Sequence, residues 1–327
     1  MRNHIARRIA YGLLTLLGVN LTVFALFFYV NPPDRMAEQM LGERHATPER
    51  IASWKQRHGY DLPRLFNPGE RFPGCVTRTV FWTKSMPLFV FRFGASDHDG
   101  TTIGATLRER IPYSLALTVP MFVGSMAVQI VLAMLLAFRR GTWLDRGGLV
   151  ACVFLMSVSM LFYIVGGQYL FAIRWKWAPV SGFDSAFPHA LRFLILPIAI
   201  GIVGGIGAGT RFYRTVFLEE IHKDYIRTAR AKGLGEGAVL FRHALRNALL
   251  PILTHVVVAI PFLIAGNLLL ENFFGIPGLG SFLIDAIMRQ DFAALRAMVF
   301  LGAVLYVVSL ILVDIAYTWA DPRVRFA

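Results

Sequence analysis

Six stretches of this chain run apolar for about 20 residues or more, the length a helix needs to cross the hydrocarbon of a bilayer. They fall at Ile9 to Tyr29 and at about 114–138, 147–173, 190–209, 248–270 and 294–320. One large polar insertion, residues 31–112, separates the first from the second. The longest strongly basic segment, within 211–247, separates the fourth from the fifth. The pattern predicts an all-α integral membrane protein with six transmembrane helices. An extracytoplasmic insertion would lie between helices 1 and 2, and a cytoplasmic loop between helices 4 and 5. The chain divides accordingly into an N-terminal end with helix 1 (1–30), the insertion (31–112) and a core domain (113–327).

The first run is too long for the roughly 7–15 apolar residues of a signal peptide, and Asn31-Pro32-Pro33 is no small-residue cleavage site. It reads as a first transmembrane helix. In the insertion, Thr47-Pro48 is a good helix start and Gly59 a good stop. Residues 71–93 mix aromatics with Arg78, Lys84 and Arg92, an interfacial rather than a spanning pattern. The insertion is expected to form a small subdomain with little core of its own.

Lys and Arg beside the short loops set the orientation. Arg2, Arg7 and Arg8, then Arg139, Arg140 and Arg146, then the cluster from Arg211 to Arg246, and finally Arg323 and Arg325 alternate with loops that hold only Arg174, Lys176 and Arg289. Both termini are therefore expected in the cytoplasm.

Composition supports the membrane reading: 56% of residues are hydrophobic and 16% charged, against roughly 25% charged in soluble domains. Mean hydropathy is +0.55. The net charge of +13 sits mostly beside apolar runs, which suits anchoring in a bilayer better than a nucleic-acid groove. Cys75, in a loop, and Cys152, in an apolar run, give no disulfide framework, and the eight histidines lack ligand spacing. No P-loop, G-x-S-x-G or H-E-x-x-H motif occurs, so no catalytic constellation and no cofactor is expected. Among ionisable residues in the spans, Arg296 and Asp314 lie near the ends of the last one, where a salt bridge or snorkelling suits them. Gly201, Gly205 and Gly209 form a ridge for close helix packing. Met121, Met126, Met134, Met156 and Met160 read as apolar gap-fillers.

The basic segment has its own grammar. In DYIRTARAKGLGEGAVLFRHALRNALLP, residues 224–251, Asp224 can cap a short helix and Gly233 can end it in the left-handed conformation. Arg230 and Lys232 fall in its last turn, where cations suit the helix dipole. After Gly235 and Gly237, a second helix would put Phe241, Ala244, Leu245, Ala248 and Leu249 on one face and Arg242 and Arg246 on another.

RTARAKG (227–233) followed by RHALRNALLP (242–251) resembles the cytoplasmic signature loop of ABC-importer permeases, specifically the B-type subunit of the dipeptide/oligopeptide/nickel branch. The superfamily's E-A-A-x-x-x-G would fall on Arg227, Thr228, Ala229 and Gly233, with Arg and Thr replacing the first two letters as is usual in that branch. RRIAYGLLTLLGVNLTVF at the start, HGYDLPRL (58–65), FGAS (93–96), LRERIPYSLALT (107–118), RRGTWLDR (139–146), GIPGLGSFLIDAIMRQDF (275–292) and ADPRVRF (320–326) are similar to the branch's other motifs, in its order. The likeness is weakest over 66–91 and at Asn31-Pro32-Pro33.

The resemblance implies a non-catalytic permease subunit of an ATP-driven importer for peptides or similar solutes, in a bacterial inner membrane. It implies as partners a C-type second permease, two cytoplasmic ABC ATPases and an extracytoplasmic substrate-binding protein. It makes Asp224, Tyr225, Arg227, Thr228, Ala229, Arg230, Lys232 and Gly233 the coupling helix and its stop, docked in a cleft of the ATPase, with Ala229 and Ala231 permitting close approach. Taken alone, the same segment also fits a plain positive-inside loop. Nickel or another non-peptide solute is an alternative cargo. An ion-coupled secondary transporter would be expected to show internal repeats and mid-membrane polar groups, which this sequence does not display.

Overall fold

Inside hydrocarbon a backbone must satisfy its own N–H and C=O groups, and this chain does so with helices. The computed structural model describes residues 2–42, 45–184 and 189–320. The ADPRVRF motif from residue 321 on, with Arg323 and Arg325, lies outside the described residues. In chain order the helices are α1 (Arg2–Ala25), α2 (Pro33–Leu41), α3 (Pro48–His58), α4 (Gly74–Thr77), α5 (Ile103–Phe138), α6 (Trp143–Ser157), α7 (Met160–Gly167) and α8 (His189–Ile221). Then come α9 (Asp224–Ala231), α10 (Glu236–Ala238), α11 (Leu245–Ala265), α12 (Leu268–Phe274), α13 (Leu279–Met288) and α14 (Phe292–Ala320). Among the described residues the only β pairing is an isolated bridge, Ala95 to Thr102.

Among the described residues five segments are long and apolar enough to cross a membrane: Arg7–Val30, Ile103–Phe138, His189–Ile221, Pro251–Phe274 and Phe292–Ile315. The stretch expected as one span over 147–173 is instead a broken pair, Trp143–Ser157 and Met160–Arg174, bent by 88°. At the break, within Ser-Val-Ser, the Ser157 hydroxyl turns back onto the Val153 carbonyl at 2.9 Å. Val158 and Ser159 are then extended, with ψ of 127° and 144°. Such serine back-bonding competes with the helical ladder. Counting the bent pair as one span gives six.

The chain forms two compact units. The first holds residues up to 111 together with 282–311. The insertion expected as its own subdomain is part of this unit, sharing a core with the first helix and the start of α14: Phe24, Phe28, Met36, Trp54, Tyr60, Val80 and Phe292. A polar segment this short needs such borrowed apolar surface. Thr47 precedes α3 in extended backbone, and Gly59 ends it at φ +65, as expected. Residues 71–93 make only short helical turns, and Cys75 sits inside one of them, α4, rather than in a loop.

The second unit holds residues 112–281 and 312–320. Here α8 lies against α5 and α6. The glycine ridge is a true close approach. A Cβ at Gly205 would lie 2.8 Å from Ser125 Oγ and 3.1 Å from Gln129 Nε2. That space admits the bond from Gln129 Nε2 to the Gly205 carbonyl at 3.0 Å. Met121 fills the space at Gly201 in the same way, as a gap-filler does.

An ion pair joins α6 to α8. Arg214 donates Nε to Asp145 Oδ1 and Nη2 to Asp145 Oδ2, both at 2.8 Å. Gly141 N adds a third bond to the carboxylate. Removing one partner of so buried a fork strands the other charge. Asp145→Ala is expected to cost about 3 kcal/mol, read as a fall in the thermal midpoint of purified protein, while Asp145→Leu with Arg214→Met regains most of it. A double variant no better than the single one would contradict this.

Candidate functional site

The basic segment folds as a capped helix seated on its own core. Helix α9 starts one residue earlier than the sequence suggests: Lys223 holds the cap position in extended backbone, and Asp224 is the first helical residue. Asp224 makes no cap bond and lies 3.8 Å from Arg227 Nη1. Its charge still suits the helix N-terminus. At the other end Lys232 is the C-cap and Gly233 follows at φ +77. Gly233 N bonds to Arg230 O at 2.9 Å and Leu234 N to Ala229 O at 3.4 Å. That pair of bonds is the Schellman arrangement.

Ile226 and Ala229 point inward, against Tyr213, Phe217, Val239, Leu240 and Ala244. Ala229 is 5% exposed, so its methyl serves the chain's own packing and not a partner's approach. Arg227, Thr228, Arg230, Ala231 and Lys232 form the exposed side. Arg230 is tied across the glycine turn, with Nε 2.8 Å from Glu236 Oε1 and Nη2 3.1 Å from Oε2. Tyr225 donates its hydroxyl to Glu220 Oε2. Lys223 Nζ reaches the same carboxylate at 2.5 Å. Burial, with the Glu220 bond, pushes the Tyr225 hydroxyl up to about 12, so it remains a donor throughout the physiological range. Both ends of α9 are thus fixed to the rest of the chain.

The second helix differs from expectation. It begins at Glu236, ahead of Gly237, and residues 239–244 form a wide π turn before α11. A π turn shifts the phase of all that follows. The buried face is therefore Leu240, Ala244, Ala248 and Ile252, while Phe241 and Leu249 are exposed. Arg242 and Arg246 are exposed, as expected. The fourth span also runs on to Ile221, so the segment between spans is shorter than 211–247.

Two buried polar knots escaped the sequence reading. In the second unit Glu271 is fully buried and accepts from Ser114 Oγ at 2.8 Å and from the backbone N of Asn267 and Ser281 at 3.1 Å each. Ser114 Oγ in turn accepts from Leu279 N at 2.7 Å. A Cβ at Gly280 would sit 2.8 Å from Asn267 C and Leu268 N, both backbone atoms that cannot step aside. The glycines of G-I-P-G-L-G-S are what let that loop wrap a carboxylate. An acid just before a glycine-rich loop was the available signal.

In the first unit Tyr60, from HGYDLPRL, donates to both oxygens of Asp97 at 3.0 and 2.9 Å. Ser96, from FGAS, donates to Asp291 at 2.5 Å. Asp97 N bonds the other Asp291 oxygen at 3.1 Å, and Ala293 N bonds Asp97 at 3.0 Å. Three motifs distant in sequence therefore meet at one point. Arg296 joins them through Tyr60, with Nη2 3.1 Å from the hydroxyl. It is 5% exposed, so it does not snorkel, and its hydrogen bonds among the described residues go to Tyr60 and the Phe292 carbonyl rather than to a carboxylate. Burial pushes the Tyr60 hydroxyl and the Asp97 carboxyl upward. No group of three or more His, Cys, Asp or Glu that could hold a metal ion occurs among the described residues.

Residues 129–326 match the family model described as the inner membrane component of binding-protein-dependent transport systems. A putative peptide transport system permease protein of Brucella abortus is 33% identical over 327 residues, covering 98% of each chain. The di/tripeptide transport system permease protein DppB of Pseudomonas aeruginosa is 32% identical over 358 residues, covering 99% of each. The glutathione transport system permease protein GsiC of Salmonella choleraesuis is 28% identical over 328 residues, covering each chain fully.

Proposed function

From its membership of the family of inner membrane components of binding-protein-dependent transport systems, to which this chain belongs, we propose that it forms half of the pathway of an ATP-driven peptide importer. Its partners are a C-type second permease, two cytoplasmic ABC ATPases and an extracytoplasmic binding protein. Peptides are preferred to nickel as cargo because the named relatives carry peptides or glutathione, itself a short peptide. The termini and the basic segment lie in the cytoplasm, on the strength of the Lys and Arg pattern. The insertion faces the binding protein.

The observation that carries the reading is α9: a short helix, fixed at both ends, presenting Arg227, Thr228, Ala231 and Lys232 outward from a chain with no P-loop of its own. Such an element moves as a rigid body, so closure of the ATPases is passed to the spans. ATP binding brings the coupling helices together and tilts the pathway from inward-facing to outward-facing. ATP hydrolysis belongs to the partners.

Reconstitution in proteoliposomes tests this. The purified chain alone hydrolyses no ATP; with its partners it supports ATP-dependent uptake of a di- or tripeptide, stimulated by the binding protein. Turnover by the chain alone, or uptake that collapses with the ion gradient while ATP is held high, would overturn it.

A further inference from the structure

The guanidinium of Arg296 has an edge that nothing in the first unit satisfies. Its Nε donates to Phe292 O at 3.3 Å and its Nη2 to Tyr60 Oη at 3.1 Å. Its faces are stacked near two rings, Phe28 at 5.0 Å and Tyr60 at 5.7 Å. Its Nη1 is buried and has no hydrogen-bond partner among the described residues. A buried donor on a charged group is costly to leave without a partner, so the site invites a ligand.

The two nearby carboxylates do not fill that role. Asp97 already accepts from Tyr60 Oη and Ala293 N, and Asp291 from Ser96 Oγ, Asp97 N and Ala294 N. Arg296 instead lines a cavity of 170 Å³ with Lys84, Arg92 and Asp97, so cations outnumber acids three to one. Lys84 is half-buried, with Nζ 5.3 Å from the Tyr60 ring centroid. Burial, then Arg296, holds its ammonium below the usual lysine range, against the opposing pull of Asp97. Pro87, Phe93, Ala95 and Ala293 supply an apolar wall. The volume equals about five liquid waters, too small for a peptide segment to thread through.

We propose that this cavity binds a small carboxylate anion, its head beside Arg296 and Lys84 and its short alkyl tail against the apolar wall. The pairing of a charged edge with an apolar wall selects acetate or propionate over chloride or phosphate. The site lies in the unit built from the insertion and the start of α14, and it does not depend on what the protein transports.

The test is propionate binding to the purified full-length protein in nanodiscs, by saturation-transfer NMR and by thermal shift, against sodium chloride at equal ionic strength. Saturable binding is expected, with a dissociation constant raised at least about tenfold in Lys84→Met, the loss of one good charged contact. Arg296→Gln is expected to abolish it. Should Arg296→Gln fail to fold, Lys84→Met alone decides. An equal response to chloride, no saturable binding, or binding untouched by Lys84→Met would overturn the proposal.

Discussion

Gly233→Val is expected to abolish ATP-driven uptake while leaving the amount of membrane-inserted protein unchanged. A Cβ at Gly233 would meet nothing within 4 Å, so no clash is created. The cost lies in the backbone: φ is +77, where an L-residue loses about 1–2 kcal/mol and a β-branched one more. That is small beside the roughly 5–15 kcal/mol that hold a domain together. It is comparable to the two bonds of the helix stop, Gly233 N to Arg230 O and Leu234 N to Ala229 O, worth about 0.5–1.5 kcal/mol each. Val should therefore unwind the last turn and let Arg230 and Lys232 swing without unfolding the spans. Uptake should fall at least about tenfold with Val and less with Ala, and should be nearly preserved with Asn, which tolerates the left-handed region. Full uptake by Gly233→Val would remove this helix stop from the coupling path.

Glu271→Ala is expected to act on folding instead. The substitution strands three donors at once, Ser114 Oγ and the backbone N of Asn267 and Ser281, all in a buried setting. At about 1–3 kcal/mol for each unsatisfied group, the loss approaches the whole stability of a domain. Inserted protein should be nearly absent, as judged by detergent-extracted, monodisperse yield. Glu271→Gln, which keeps an acceptor oxygen, should retain a measurable fraction. Gly280→Ala tests the same knot from outside, since its new Cβ would press on fixed backbone at Asn267 and Leu268. Normal yield from Glu271→Ala would contradict the structural role.

Apolar run length made the spans legible, because hydrocarbon thickness imposes it and no tertiary contact can waive it. Helix stops were equally legible at Gly59 and Gly233, where backbone conformation selects the residue. What escaped was set by context. The Val158–Ser159 break sits in an apolar run with no proline or glycine to mark it. The π turn at 239–244 moved Phe241 and Leu249 out of the buried face that a 3.6-residue period assigns them. At the candidate coupling helix, residue types showed which groups could face a partner, but not that Ala229 is needed inside or that Arg230 is held by Glu236. Long-range pairings such as Tyr60 with Asp97, or Ser114 with Glu271, have no local signature at all. Only the order of the separated motifs hinted that they belong together.

If the proposed coupling holds, α9 is the surface that meets the ATPase. The two native cysteines, Cys75 and Cys152, are both buried, so one introduced thiol is addressable by itself. Ala231→Cys lies on the exposed side of α9, and Val90→Cys, 66% exposed in the insertion, serves as its counterpart. Each is labelled with a short photo-crosslinker in the assembled importer, and the adducts are identified by mass spectrometry. An adduct is expected between position 231 and the ATPase subunit, and none to that subunit from position 90. An importer that transports normally yet gives no ATPase adduct from 231, or gives one from 90, would contradict it.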